Sequence, residues 1–246
     1  MIQENIRIKA SRHSLASALA LGITLSLAAP YSIAQSGASS AANNKEQLQL
    51  ASAAATHDFK AFVEHHLQSK SGTQPTGFPL DVSDIQNLKN AKISYGFQVY
   101  TIDPKDILSA RSDMRSMAKA TGIWRFVINL EDKPIGLATV EQVNGKWETV
   151  AYGGAVLAQE VDASIHAYGN ADRSNVRFIR IYQAQSDFLE VSSARDAKTM
   201  FAPLQSARQS LLLRQGDAKS ESTLVDGSEL LGPLQAAVKK NMDANN

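Results

Sequence analysis

The chain has 246 residues, 43% hydrophobic and 20% charged, with 25 Lys+Arg against 24 Asp+Glu and no Cys. That balance excludes a disordered chain, a disulfide scaffold, a Cys-ligated zinc site and thiol chemistry. A formal charge of +1 argues against a broad nucleic-acid-binding surface, so no nucleic-acid partner is expected.

Residues 1–34 read as a cleaved signal peptide. Arg7, Lys9 and Arg12 form a positive start, and Leu15 to Ala29 is an apolar stretch too short to span a bilayer comfortably. Ser32-Ile33-Ala34 then places small residues at the −3 and −1 positions, so cleavage is expected between Ala34 and Gln35. No Cys follows for a lipid anchor and no twin arginine is present, which favours the general secretion route. Taking three basic residues and one acidic residue from 25 and 24 leaves 22 and 23, so the mature chain carries a formal −1. The expected location is the bacterial envelope, periplasmic or secreted, with membrane contact only during export.

Residues 35–46, QSGASSAANNKE, are small and polar and read as a flexible linker. A single α+β domain is expected over 47–213. It begins with a helix from Gln47 to Gln68, whose stripe is Leu48, Ala51, Ala55, Phe59, Phe62, Val63 and His66. A Gly/Pro loop over 70–80 leads to a short helix from Asp81 to Asn90, with Asp81 as its cap. Lys92 to Thr101 alternates, with Ile93, Tyr95, Phe97 and Val99 on one face of a strand. The polar segment 105–122 reads as part helix, part loop.

A three-stranded meander follows: Ile123–Leu130, Ile135–Val143 and Lys146–Tyr152. Asn144-Gly145 forms the tight turn, because both residues accept a positive φ. A two-residue loop sets Val143 opposite Lys146, Glu141 opposite Glu148, Val140 opposite Thr149 and Ala138 opposite Ala151. Gly153-Gly154 opens a helix to Tyr168, and Gly169 ends it. Strands are expected at Asn175–Gln183, Asp187–Ser192 and Thr199–Ala202, then a short helix. Residues 214–246 read as a linker and an amphipathic helix from Gly232 or Pro233 to Met242. The fold class is therefore α+β: an antiparallel meander packed against one or two helices in two layers, with helical extensions.

The chemistry is sparse. His57, His65 and His66 sit near Asp58 and Glu64 on the first helix, but no three or four of these residues share a metal-binding spacing. No nucleophile elbow appears, and His166 stands alone on its helix. Glu141 and Glu148 would be cross-strand neighbours at the distance of a retaining glycosidase pair, yet at an exposed hairpin. Gly153-Gly154 lacks the lysine and third glycine of a phosphate loop. Arg173, Arg177, Arg180 and Lys198 are a basic set suited to a carboxylate or acidic partner, although Arg177 and Arg180, three apart, point to opposite faces of a strand. Trp124 and Trp147 read as sheet-face residues. Leu230, Leu231, Leu234 and Val238 form an apolar face, which packs on the domain or serves as candidate contacts for a partner.

No catalytic, cofactor or metal site is assigned. The functional expectation is an exported non-enzymatic binding or interaction protein taking a protein partner or small-molecule ligand. The alternatives are an exported enzyme whose site is unrecognised and an accessory or inhibitor subunit docking one partner.

Overall fold

Short turns at residues that accept a positive φ fold the chain back on itself: Glu131 (55°), Asn144 (52°) with Gly145 (81°), and Gln185 (50°). The hairpins they close build most of one sheet. The computed structural model describes residues 35–68, 76–110, 114–193, 198–213 and 224–244. Among these, the strands are β1 (Ala91–Thr101), β2 (Lys119–Leu130), β3 (Lys133–Val143), β4 (Lys146–Gly153), β5 (Val176–Ile181), β6 (Ser186–Ser192), β7 (Thr199–Pro203) and β8 (Val225–Asp226). They lie in the order β4-β3-β2-β1-β5-β6-β7-β8. Every neighbouring pair is antiparallel except β1 and β5, which run parallel and join two hairpin systems into one α+β sheet.

The helices are α1 (Gln35–Leu67), α2 (Pro104–Ser109), α3 (Met114–Met117), α4 (Ala155–Tyr168), α5 (Gln205–Ser210) and α6 (Gly227–Asp243). In α1, Ala51, Ala55 and Phe59 recur every four residues and bury one stripe against Trp124, Phe126 and Ile128 of β2 and Val140 of β3. Its first residues coincide with the 35–46 stretch of linker composition; of the cleavage pair, Gln35 starts the helix and Ala34 lies outside the described residues. Val127, one residue from Phe126 and so on the opposite face, packs with Ala158 of α4. The other half of the sheet, with Ile179, Phe188 and Phe201, is covered by α2, α3, α5 and α6. Helices therefore lie on both faces, with α4 on the face away from α1.

Three sequence expectations change in detail. First, Ile93 packs with the α1 cluster, whereas Tyr95, Phe97 and Val99 pack on the α4 side. The register of β1 on β2 slips between Ile93 and Gly96, which breaks the alternation. Gly96 stands there because a Cβ would lie 2.3 Å from the buried Phe126 ring. Second, Glu141 does oppose Glu148 and Val140 opposes Thr149, but Ala138 meets Tyr152 rather than Ala151. The slip leaves Val150 46% exposed, beside the point where Asp58 of α1 accepts the Thr149 N–H at 2.8 Å. Third, Asp84, not Asp81, caps the short 3-10 helix Ile85–Asn90, accepting the Gln86 N–H at 2.8 Å; Asp81 pairs with Lys133 at 2.9 Å.

The C-terminal helix begins earlier than its apolar pattern suggests. Asp226 accepts the Ser228 N–H at 3.0 Å and starts α6 at Gly227, which places Pro233 inside the helix rather than in its first turn. Leu230, Leu231, Leu234 and Val238 are 0–7% exposed and pack within their own chain. Leu230, Leu234 and Val238 meet Ile179, Phe188 and Phe201, so this face is core and offers nothing for a partner to contact. No helix among the described residues is long and apolar enough to cross a membrane.

A candidate ligand cleft where the sheet forks

Sheets split where a strand pair ends before the strands do. Val99 and Tyr100 of β1 pair with Phe178 and Ile179 of β5, while Ala91, Lys92, Ile93, Gly96, Phe97 and Gln98 pair, among the described residues, with β2 alone. The chain entering β5 is bent away by its own hydrogen bonds. The Asn170 N–H donates to Asn175 Oδ1 at 2.7 Å, Asn175 Nδ2 donates to Tyr168 O at 2.9 Å, and the Ser174 N–H donates to Asp172 Oδ1 at 3.1 Å. A cleft of ≈ 540 Å³ opens between the two strands. Leu48 and Ser52 of α1 flank it from one face and Ile165 of α4 from the other.

Its apolar walls are Phe97, Trp124, Phe126, Phe178 and Leu189. Polar residues line it too, the carboxylate of Asp172 among them, and they differ in how far they are already satisfied. The Tyr95 hydroxyl donates to Asp162 Oδ1 at 3.1 Å. Burial, with the adjacent Asp162 charge, pushes the Tyr95 phenol above its ordinary value, so it stays protonated. Arg177 is engaged on two of its nitrogens: Nε and Nη2 meet the two oxygens of Glu190 at 3.1 and 2.5 Å, and the guanidinium lies 5.0 Å over the Tyr100 ring. Glu190 is 1% exposed and also has Arg115 at 3.7 Å, which makes it the anionic anchor for two cations.

Among the described residues, three side chains that line the cleft have donors without an acceptor. Trp124 is 5% exposed, and its indole Nε1–H is buried with no hydrogen-bond partner. Gln98 is 8% exposed and its amide makes no hydrogen bond among the described residues. Arg173 makes no ion pair there; its guanidinium stacks 4.2 Å from the Tyr95 ring centroid at the rim. Its backbone holds φ at 60°, a left-handed conformation that costs a non-glycine residue about 1–2 kcal/mol. Strain of that kind persists where surrounding structure holds it, here the Asn170–Asn175 turn.

The residues singled out from the sequence distribute as follows. Arg173 and Arg177 come together in the cleft, Arg180 points to the other face with Asp187 at 3.4 Å, and Lys198 pairs with Asp226 at 3.3 Å. His57 Nδ1 lies 3.0 Å from Asp58 Oδ1. His66 packs on Phe62 and Phe78, where burial and then the neighbouring His65 lower its affinity for a proton. His166 lies beside Asp162 at 3.6 Å on the surface of α4. No three His, Asp or Glu side chains converge to hold a metal among the described residues. Trp147 packs against the α1 cluster. Gly154 has φ 67° and its Cβ position lies 3.5 Å from Leu137, so the glycine pair serves the tight passage from β4 to α4.

Sequence reasoning placed Trp124 on the sheet and Gln98 on a polar strand face, but not together. The one local signal was the tryptophan on an aromatic-rich strand. The cleft itself depends on the long-range pairing of β1 with β5, for which no motif exists. No protein-family model, curated protein or solved structure matches the chain.

Proposed function

We propose that this chain is an exported, non-enzymatic binding protein whose ligand lies in the cleft between β1 and β5. The ligand is largely apolar with one anionic or strongly accepting end. The observation that carries the reading is Trp124, which lines the cleft and whose buried indole N–H has no hydrogen-bond partner among the described residues. An unmade buried hydrogen bond of this kind costs about 1–3 kcal/mol, and a bound carbonyl or carboxylate oxygen would recover it. Apolar walls with a few converging donors are the usual composition of a small-molecule site. Arg173 at the rim supplies the charge for the anionic end, and the Gln98 amide supplies further polar contact.

The test uses 8-anilinonaphthalene-1-sulfonate, an aromatic anion of about the required shape. The purified protein enhances its fluorescence with energy transfer from Trp124, in a background carrying Trp147→Phe. Arg173→Gly relieves the positive φ, so it folds as well as the parent, and it binds the probe about tenfold more weakly, the effect of about 1.4 kcal/mol. Equal affinity in Arg173→Gly, or no transfer from Trp124, counts against the cleft.

A second reading rests on the unpaired edge of β1 over 91–98, whose backbone could take an added strand from a peptide of a protein partner. Export is part of the same proposal and has its own check. The N-terminal sequence of protein recovered from the envelope or medium begins at Gln35, and a chain still beginning at Met1 would remove the signal peptide from the account.

A further inference from the structure

A second set of unmet donors lies on the opposite side of the sheet from α1. Arg125 of β2 shares a face with Val127, which packs under α4, and it pairs across the strands with Phe97 and Thr139. Its guanidinium lies 5.5 Å from the Phe178 ring centroid. Nε and Nη1 are buried, and neither has a hydrogen-bond partner among the described residues. Arg180 acts on it as a like charge. The carboxylate that acts on it is Asp187, whose Oδ2 accepts the Ser206 hydroxyl at 2.9 Å and whose buried Oδ1 faces Arg180 Nη1 at 3.4 Å without a hydrogen bond among the described residues. Two guanidinium groups thus share one carboxylate, leaving one positive charge in a partly desolvated place.

The same sheet shows what a satisfied arginine looks like. Arg177 has Glu190 on two of its nitrogens and the Arg115 carbonyl on one. Arg125 has none of this, and burial lowers its hold on its proton. Arg125 is half-buried, with two nitrogens out of water and without acceptors, and replacing buried ionic groups by apolar ones is often neutral or stabilising. An anion from outside the chain would give these two nitrogens the acceptors they lack.

We propose that Arg125 and Arg180 form an oxyanion site for a carboxylate ligand. The surplus is one charge, which matches a monoanion. A planar carboxylate suits the guanidinium fork, whereas a phosphate dianion would overbalance the pair and face Asp187. Arg125 does not line the cleft between β1 and β5, and this site rests on different donors, so either can fail alone.

The experiment compares the Tm of the purified protein in acetate, phosphate and chloride at one ionic strength. Acetate raises Tm by about 3–6 °C at tenfold excess over its Kd and saturates; chloride does not. Arg125→Met is at least as stable as the parent in chloride and loses the acetate increment. An increment that survives in Arg125→Met, or acetate and chloride giving the same Tm, overturns the site. Saturation by phosphate without acetate overturns the carboxylate assignment. Arginine Nε–H spectra of the unmutated protein make the test independent of the variant. The Nε–H with a nuclear Overhauser contact to the Phe178 ring shifts on adding acetate, and an unmoved signal overturns the proposal.

Discussion

Single residues in this protein carry charge into places where its neighbours decide its worth. Asp58 is the plainest case away from the cleft. Partial burial pushes its carboxyl up, but the hydrogen bonds from His57 and the Thr149 N–H outweigh that and hold it below the ordinary 3.8. A carboxyl with a lowered folded-state value stabilises the fold above its unfolded value and loses that contribution as pH falls through the folded one. Asp58→Ala therefore costs about 1 kcal/mol at neutral pH, by leaving the Thr149 N–H without its side-chain acceptor. Urea titrations of parent and variant should differ by a constant amount from pH 7 to 5 and converge below about pH 4. A difference that grew on acidification would contradict the assignment.

At the scale of elements, α6 changes meaning once its surroundings are known. Its apolar stripe suits a partner or a core equally well when only the sequence is considered. In the fold, Leu230, Leu234 and Val238 are fully buried with residues of β5, β6 and β7. The helix is tied down at two further points: Gln235 Nε2 donates to the Ile107 carbonyl of α2 at 3.0 Å, and Asn241 Nδ2 donates to Gln183 O at 2.7 Å. Leu234→Ala should destabilise the protein by about 2–5 kcal/mol, measured by chemical denaturation, because the cavity lies among tightly packed neighbours. An effect below 1 kcal/mol would mean that α6 is a removable appendage. The α1 helix makes the complementary point, since its stripe of Ala51, Ala55 and Phe59 was readable from spacing and is buried as such.

For the molecule as a whole, legibility follows the range of the interaction. The Asn144-Gly145 hairpin, the pairing of Glu141 with Glu148 and the α4 helix are set by residues within a few positions of one another, and periodicity and turn chemistry reveal them. The α+β class follows from the order of such elements. The register slip at Ser94–Tyr95 was hidden, because its cause is Phe126, a residue thirty positions away that claims the space beside Gly96. The parallel seam of β1 and β5 was hidden for the same reason, and with it the cleft. A basic set including Arg173 and Arg177 was visible in the sequence, but which arginines were already neutralised was not. Glu190 and Asp187 decide that, and both look like ordinary strand residues until they are buried.

We propose the fork between β1 and β5 as the ligand site. Its most direct test is a nitrogen–proton correlation spectrum of the purified protein, recorded while the anilinonaphthalene sulfonate probe is added. The account predicts that the shifting amides gather at Tyr95–Tyr100 and Arg173–Phe178, together with the Trp124 indole N–H. Shifts confined to the outer surface of α1, or scattered without the indole signal, would contradict it.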